Sequence, residues 1–233
     1  MHSAPFLHVW QADLAAALPP WLAAENTLSA AERARQVRLR TPTLRQTYGR
    51  AHGFLRAVLS HYTGQAASTL RIEVDIQGKP ALPGAGLYFN LSYRPGRALL
   101  AVSNAYPVGV DVEPLAPLAD VDALIQELFA PAEQAALRAA VPADYWPLFY
   151  TIWTRKEAYA KALGMGLAMP FAAFSVLRFG PSQPLVFTAT PGVGLHHWVV
   201  GAGYLGAVAV QSAASLLPTH YTYPNVLFDK QFR

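Results

Sequence analysis

The chain has 233 residues, of which 53% are hydrophobic and 14% charged, a balance that excludes disorder and supplies core for one large domain or two small ones. Its formal charge of +4 suits acidic partners, and without cysteine it can hold no disulfide, thiolate nucleophile or cysteine-ligated zinc. The start, Met1-His2-Ser3-Ala4-Pro5-Phe6, lacks the basic and apolar segments of a signal peptide, and the most apolar window, 198–210, falls short of the roughly 20 residues that span a bilayer, so a cytoplasmic location away from membranes is expected.

In chain order, a strand is expected at 7–10, then a helical stretch at 29–62 with a break near Pro42. Strands follow at 71–75, 88–92 and 98–103. The second half repeats that plan with a strand at 108–113, helices at 121–129 and 131–140, a long helix to Leu163, and strands at 174–179, 185–188, 198–201 and 205–210. The segment Pro114-Leu115-Ala116-Pro117-Leu118-Ala119 reads as a loop, and the tail from Pro218 shows no clear periodicity.

Two segments carry chemistry. In Gly109-Val110-Asp111-Val112-Glu113 the apolar and acidic residues alternate, so Asp111 and Glu113 project from one face of a strand about 6.6 Å apart. Their repulsion, roughly 2.5 kcal/mol at an effective dielectric of about 20, calls for a cation. The stretch from Leu148 to Leu163 is free of Pro and Gly and is ended by Gly164; it places Glu157 and Lys161 on one face as i,i+4 neighbours. A third carboxylate facing the first two would make an oxygen-only site of the kind Mg²⁺ prefers, with Mn²⁺ as a substitute. Each segment also has a bland reading, a solvated strand face and a surface ion pair worth roughly 0.3–0.5 kcal/mol; their joint occurrence favours a site.

These segments resemble the paired signatures of the 4′-phosphopantetheinyl transferases of the monomeric Sfp type, Gly-x-Asp-x-Glu and Trp-x-x-Lys-Glu-x-x-x-Lys, the second running here from Trp153 through Lys156 and Glu157 to Lys161. Gly78-Lys79-Pro80, Phe89-Asn90-Leu91-Ser92 and Gly164-Met165-Gly166-Leu167 agree in order and spacing, so the likeness runs from about Arg33 to about Val210. The resemblance implies an α/β (α+β) fold of two similar halves, divided near residue 107 into 1–107 and 108–233 and forming a pseudo-dimer, with the active site in the cleft between them. It implies transfer of the phosphopantetheine arm of coenzyme A to a serine of an apo acyl, peptidyl or polyketide carrier protein, with release of adenosine 3′,5′-bisphosphate.

Carried over by position, Asp111, Glu113 and Glu157 match the metal-binding acids, Glu113 either directly or through water, and Lys161 the pyrophosphate contact. Glu157, Lys161 and Glu133 form the implied catalytic set, Glu133 as the base for the serine. An acid two residues after Pro131 also simply suits the first turn of a helix. The implied coenzyme contacts are Arg45, Arg50, His52, Lys79, Pro80, Asn90, Ser92, Tyr93, Lys156 and Lys161. One departure stands out: many relatives carry a histidine after Phe-Asn-x-Ser, where this chain has Tyr93 followed by Arg94. Tyrosine offers a hydrogen bond but no charge at neutral pH, leaving Arg94 as a substitute if the loop turns it inward.

The expected partners are coenzyme A and acidic carriers, with the chain a monomer that binds neither nucleic acid nor membrane. Two other readings stay open at this stage: a noncatalytic coenzyme A or nucleotide-binding module of the same fold, supported by Tyr93, and a nucleic-acid binder using the arginines between Arg33 and Arg56. The last leaves the acidic segments unexplained.

Overall fold

A computed structural model of the protein describes residues 4–16, 24–74, 78–177, 192–212 and 216–223. The fold is mixed α+β, as expected. Strand β1 (Leu7–Asp13) leads to helices α1 (Ala30–Val37) and α2 (Pro42–Thr63). The break near Pro42 is a helix start: Pro42 occupies a first-turn position, where its missing N–H costs nothing, and Thr41 caps the turn by accepting from the Leu44 amide at 3.2 Å. Of the expected strand at 71–75 only β2 (Glu73–Val74) is extended, paired antiparallel with β3 (Pro80–Ala81), and residue 75 lies outside the described residues. Strands β4 (Tyr88–Arg94), β5 (Arg97–Ser103) and β6 (Val108–Pro114) follow, then helices α3 (Val121–Leu128), α4 (Pro131–Ala139) and α5 (Pro142–Leu163), and strands β7 (Gly194–Val199), β8 (Tyr204–Val210) and β9 (Thr219–Tyr223).

Helix α5 starts six residues before the stretch that the sequence delimits, with Pro142 in its first turn and Pro147 inside it. Pro147 forfeits one helical hydrogen bond. Trp146, Phe149 and Tyr150 around it pack together in the core, which outweighs that loss. Of the other expected strands, residues 174–177 are not extended into a ladder, whereas 178–179 and 185–188 lie outside the described residues.

Two larger sheets result, in the orders β4-β5-β1-β9 and β6-β8-β7. The second is antiparallel throughout, and in the first only β1 and β9 run parallel. Strand β9 therefore returns from the chain's second half to the first sheet, a pairing that a tail without periodicity did not announce. Helix α2 covers the first sheet through Phe54, Leu55 and Leu59 against Trp10, Leu100 and Val102. Helix α5 covers the second through Phe149, Ile152 and Tyr159 with Leu195 and Ala207. Leu7, Val9, Leu99 and Ala101 of the first sheet meet Val108, Val110, Val112, Val208 and Val210 of the second. Strand β5 is apolar on both faces for that reason: Leu99 and Ala101 face β6 while Ala98, Leu100 and Val102 face α2. No helix among the described residues is long and apolar enough to cross a membrane.

Candidate active site

Strand β6 bears β8 on one edge, and its free backbone donors are taken by side chains of β4. The Val110 amide donates to Asn90 Oδ1 at 2.9 Å and the Val112 amide to Ser92 Oγ at 3.3 Å. Asn90 and Ser92, expected as coenzyme contacts, thus hold the two sheets in register; Asn90 also reaches the cleft. With Val108, Val110 and Val112 turned into the inter-sheet core, Gly109, Asp111 and Glu113 face α5. The glycine is what lets the helix in: a Cβ at position 109 would lie 2.1 Å from the Ala158 carbonyl oxygen and 2.3 Å from the Ala162 nitrogen. At the far end, Gly164, at φ 70°, closes α5 in the left-handed conformation.

This close approach brings Glu157 and Lys161 to the acids. Lys161 Nζ donates to Asp111 Oδ1 at 2.6 Å and stands 4.0 Å from Glu157. Ser92 Oγ donates to the same Asp111 oxygen at 3.0 Å, while Asp111 Oδ2 is buried without a hydrogen-bond partner among the described residues. Glu113 is held differently. Arg94 forks onto both of its oxygens, Nε at 2.6 Å from Oε2 and the second nitrogen on Oε1, which Trp153 Nε1 also reaches at 3.3 Å. Burial lifts the Glu157 carboxyl above its ordinary range; Lys161 opposes that, and the charges of Asp111 and Glu113 add to it. Among the described residues no three such side chains already form a metal cage. The donor set nonetheless fits a hard cation, since Asp111 Oδ2 is a buried carboxylate oxygen in want of one and Glu157 has no closer ion-pair partner than Lys161 among the described residues.

Beside these acids lies a cleft of about 320 Å³ lined by Arg35, His52, Lys79, Pro80, Asn90, Tyr93 and Lys161, among others. His52 stacks on Tyr48 at 3.9 Å between ring centroids and meets the edge of Tyr93 at 5.9 Å. Lys79 Nζ lies on the last turn of α5, donating to the Lys161 and Ala162 carbonyls at 2.9 and 3.1 Å, so it caps that helix while lining the cleft. Arg35 is a lining residue that sequence reasoning did not single out. The signal was available: Ser29 and Glu32 form a reciprocal capping box that starts α1, and Arg35 follows one turn later on the same face.

Four expected residues take other places. Arg45 donates to the Leu39 carbonyl at 2.8 Å and Arg50 to those of Leu14 and Ala16 at 2.5 and 3.2 Å; neither lines the cleft. Glu133 is wholly buried. It accepts from the Ala130 amide at 2.8 Å, the Val176 amide at 2.7 Å and Lys156 Nζ at 2.9 Å, which leaves it no access to a serine arriving from solvent. Lys156, 1% exposed, spends its other donors on the Phe171 and Phe174 carbonyls at 2.5 and 2.7 Å and has none for a phosphate. Long side chains in an amphipathic sequence point where packing sends them, and both of these point into the core.

Comparison with known proteins identifies the family. The family model described as the 4′-phosphopantetheinyl transferase superfamily matches residues 107–210, the segment holding Asp111, Glu113, Glu157 and Lys161. Similarity to the 4′-phosphopantetheinyl transferase HetI of Nostoc sp. strain PCC 7120 is 32% identity over 208 residues, covering 88% of this chain and 87% of that one. The 4′-phosphopantetheinyl transferase Sfp of Bacillus subtilis strain 168 is 29% identical over 123 residues, 52% of this chain and 54% of its own. AcpT of Salmonella typhimurium, also named a 4′-phosphopantetheinyl transferase, is 39% identical over 130 residues, 49% of this chain and 68% of its own.

Proposed function

The chain belongs to the 4′-phosphopantetheinyl transferase superfamily, and from that premise we propose that it moves the phosphopantetheine arm of coenzyme A onto a serine of an apo carrier protein, leaving adenosine 3′,5′-bisphosphate. The observation that carries this reading is the Asp111–Lys161–Glu157 constellation, joined through Lys161 to a cleft that is otherwise lined by basic and aromatic side chains among others. We read Arg35, His52 and Lys79 as the wall that receives the nucleotide phosphates, and Tyr93 as a hydrogen-bonding contact in place of a charged one. The net charge of +4 favours an acidic carrier.

In the reaction the serine oxygen forms a bond to the phosphorus that bears the pantetheine arm, the bridging pyrophosphate P–O bond breaks, and the serine proton must leave. We assign Lys161 to neutralise charge growing on the phosphate oxygens. With Glu133 enclosed, Glu157 is the carboxylate we assign to take the proton, directly or through water. Asp111 and Glu157 are the residues we assign to hold Mg²⁺, which when bound supplies Lewis-acid charge neutralisation at the pyrophosphate. Ser92 and Lys161 orient Asp111 for that task. The division into 1–107 and 108–233 as two halves around the cleft belongs to the same proposal, with β9 as the segment of the second half that completes the first half's sheet.

Intact-mass analysis of a panel of apo carriers incubated with the protein, coenzyme A and Mg²⁺, with an EDTA control, tests the proposal. Gain of one phosphopantetheine, lost in EDTA, is expected. Coenzyme A binding without gain on any acyl, peptidyl or polyketide carrier would defeat it.

A further inference from the structure

Arg94 stands among the acids where the resemblance leads one to expect metal. Its fork occupies both oxygens of Glu113, its remaining nitrogen donates to the Tyr93 carbonyl at 3.2 Å, and Trp153 completes the shell around Glu113. Asp111 and Glu157 keep acceptors to spare, Asp111 Oδ2 entirely so. Three carboxylates faced by the two fixed cations Arg94 and Lys161 leave the site one net negative charge, where the same site without Arg94 would have two. A bidentate guanidinium-carboxylate pair is among the stronger and more directional of ion pairs, and this one is half enclosed.

We propose that Arg94 is a resident counter-ion of the active site: it holds Glu113 out of the divalent cation's ligand set, leaves that ion to Asp111 and Glu157, and keeps its affinity low. The inference rests on the metal reading above. It explains why the arginine follows Tyr93 at the end of β4: the strand reaches alongside β6, so position 94 comes level with Glu113 just as Ser92 comes level with Asp111. Arg94 is a positioning residue here, acting on the metal through Glu113. Its side chain is 45% exposed, and the β4–β6 junction is held independently by Asn90 and Ser92, so substitutions at 94 leave the fold in place.

The test is Mn²⁺ binding to metal-free protein without coenzyme A, read by the loss of the free-ion electron paramagnetic resonance signal. Arg94→Ala is expected to bind Mn²⁺ on the order of tenfold tighter than the wild type, through one more unit of negative charge and one more oxygen ligand. Arg94→Lys, which keeps the charge but not the fork, should fall between the two. The double variant Arg94→Ala with Glu113→Gln should return to near the wild-type affinity, because the gain runs through Glu113. Equal or weaker binding by Arg94→Ala, or a double variant as tight as Arg94→Ala, overturns the proposal while leaving the metal reading standing. Absence of Mn²⁺ binding in both the wild type and Arg94→Ala, with the urea midpoint of each intact, overturns the metal reading and the proposal with it.

Discussion

Helix α5 carries two lysine-carboxylate pairs five residues apart, and they do opposite things. Lys156 and Glu133 are 1% and 0% exposed at their side chains, and between them they tie the start of α4, the middle of α5 and the 171–176 segment together through backbone carbonyls and amides. Lys161 and Asp111 are 29% and 2% exposed, and their pair keeps an unpartnered carboxylate oxygen beside a cleft. A charge pair with every hydrogen bond satisfied inside the protein has nothing left to offer a ligand, so its role is structural. A pair with a spare acceptor beside a cleft is the one to which the proposed function assigns chemistry. The amino-acid types alone do not separate the two.

The largest expected effect comes from breaking the enclosed pair. Glu133→Ala leaves the Lys156 ammonium and two amides without their acceptor, and a loss of roughly 3–5 kcal/mol in urea-denaturation stability is expected. A folded, stable Glu133→Ala that has lost only turnover would return Glu133 to the role of base. Asp111→Asn should act the other way round, lowering transfer by about 10²–10³-fold in a carrier-modification assay while the urea midpoint moves little. Lys161→Ala is expected to reduce kcat by about tenfold to a hundredfold with a smaller change in KM for coenzyme A, because its charge matters most as negative charge builds on the phosphates; a change confined to KM would make it a ground-state contact.

A third pair, Glu32 with Arg56, supplies the smallest and most selective effect. Burial alone would raise the Glu32 carboxyl, but hydrogen bonds from His52, from Ser29 and from Arg56 outweigh it and hold the carboxyl at about 2. Because the folded value lies below the ordinary 4.5, the stabilisation is complete above about pH 4.5 and is lost as the pH falls through about 2. The stability gap between the wild type and Glu32→Gln, followed by urea denaturation from pH 6 down to 2, should narrow over that window. A gap that stays constant would mean that Glu32 acts through packing instead.

What the sequence determined by itself was local. The alternation in 108–113 placed two acids on one face of a strand, the helical spacing from Trp153 to Lys161 put Glu157 next to Lys161, and Gly164 marked the helix end, because strand and helix periods are properties of neighbouring residues. The mixed fold and the family followed from the same segments. Tertiary structure decided what each side chain met. It turned Glu133 and Lys156 inward against the 171–176 segment, turned Arg45 and Arg50 onto loop carbonyls, set Arg94 on Glu113, joined β9 to β1, and brought Arg35 to the cleft. Each of those contacts depends on how elements pack across the fold or on where a long side chain finds its nearest acceptor, and no periodicity in a single stretch of chain encodes either.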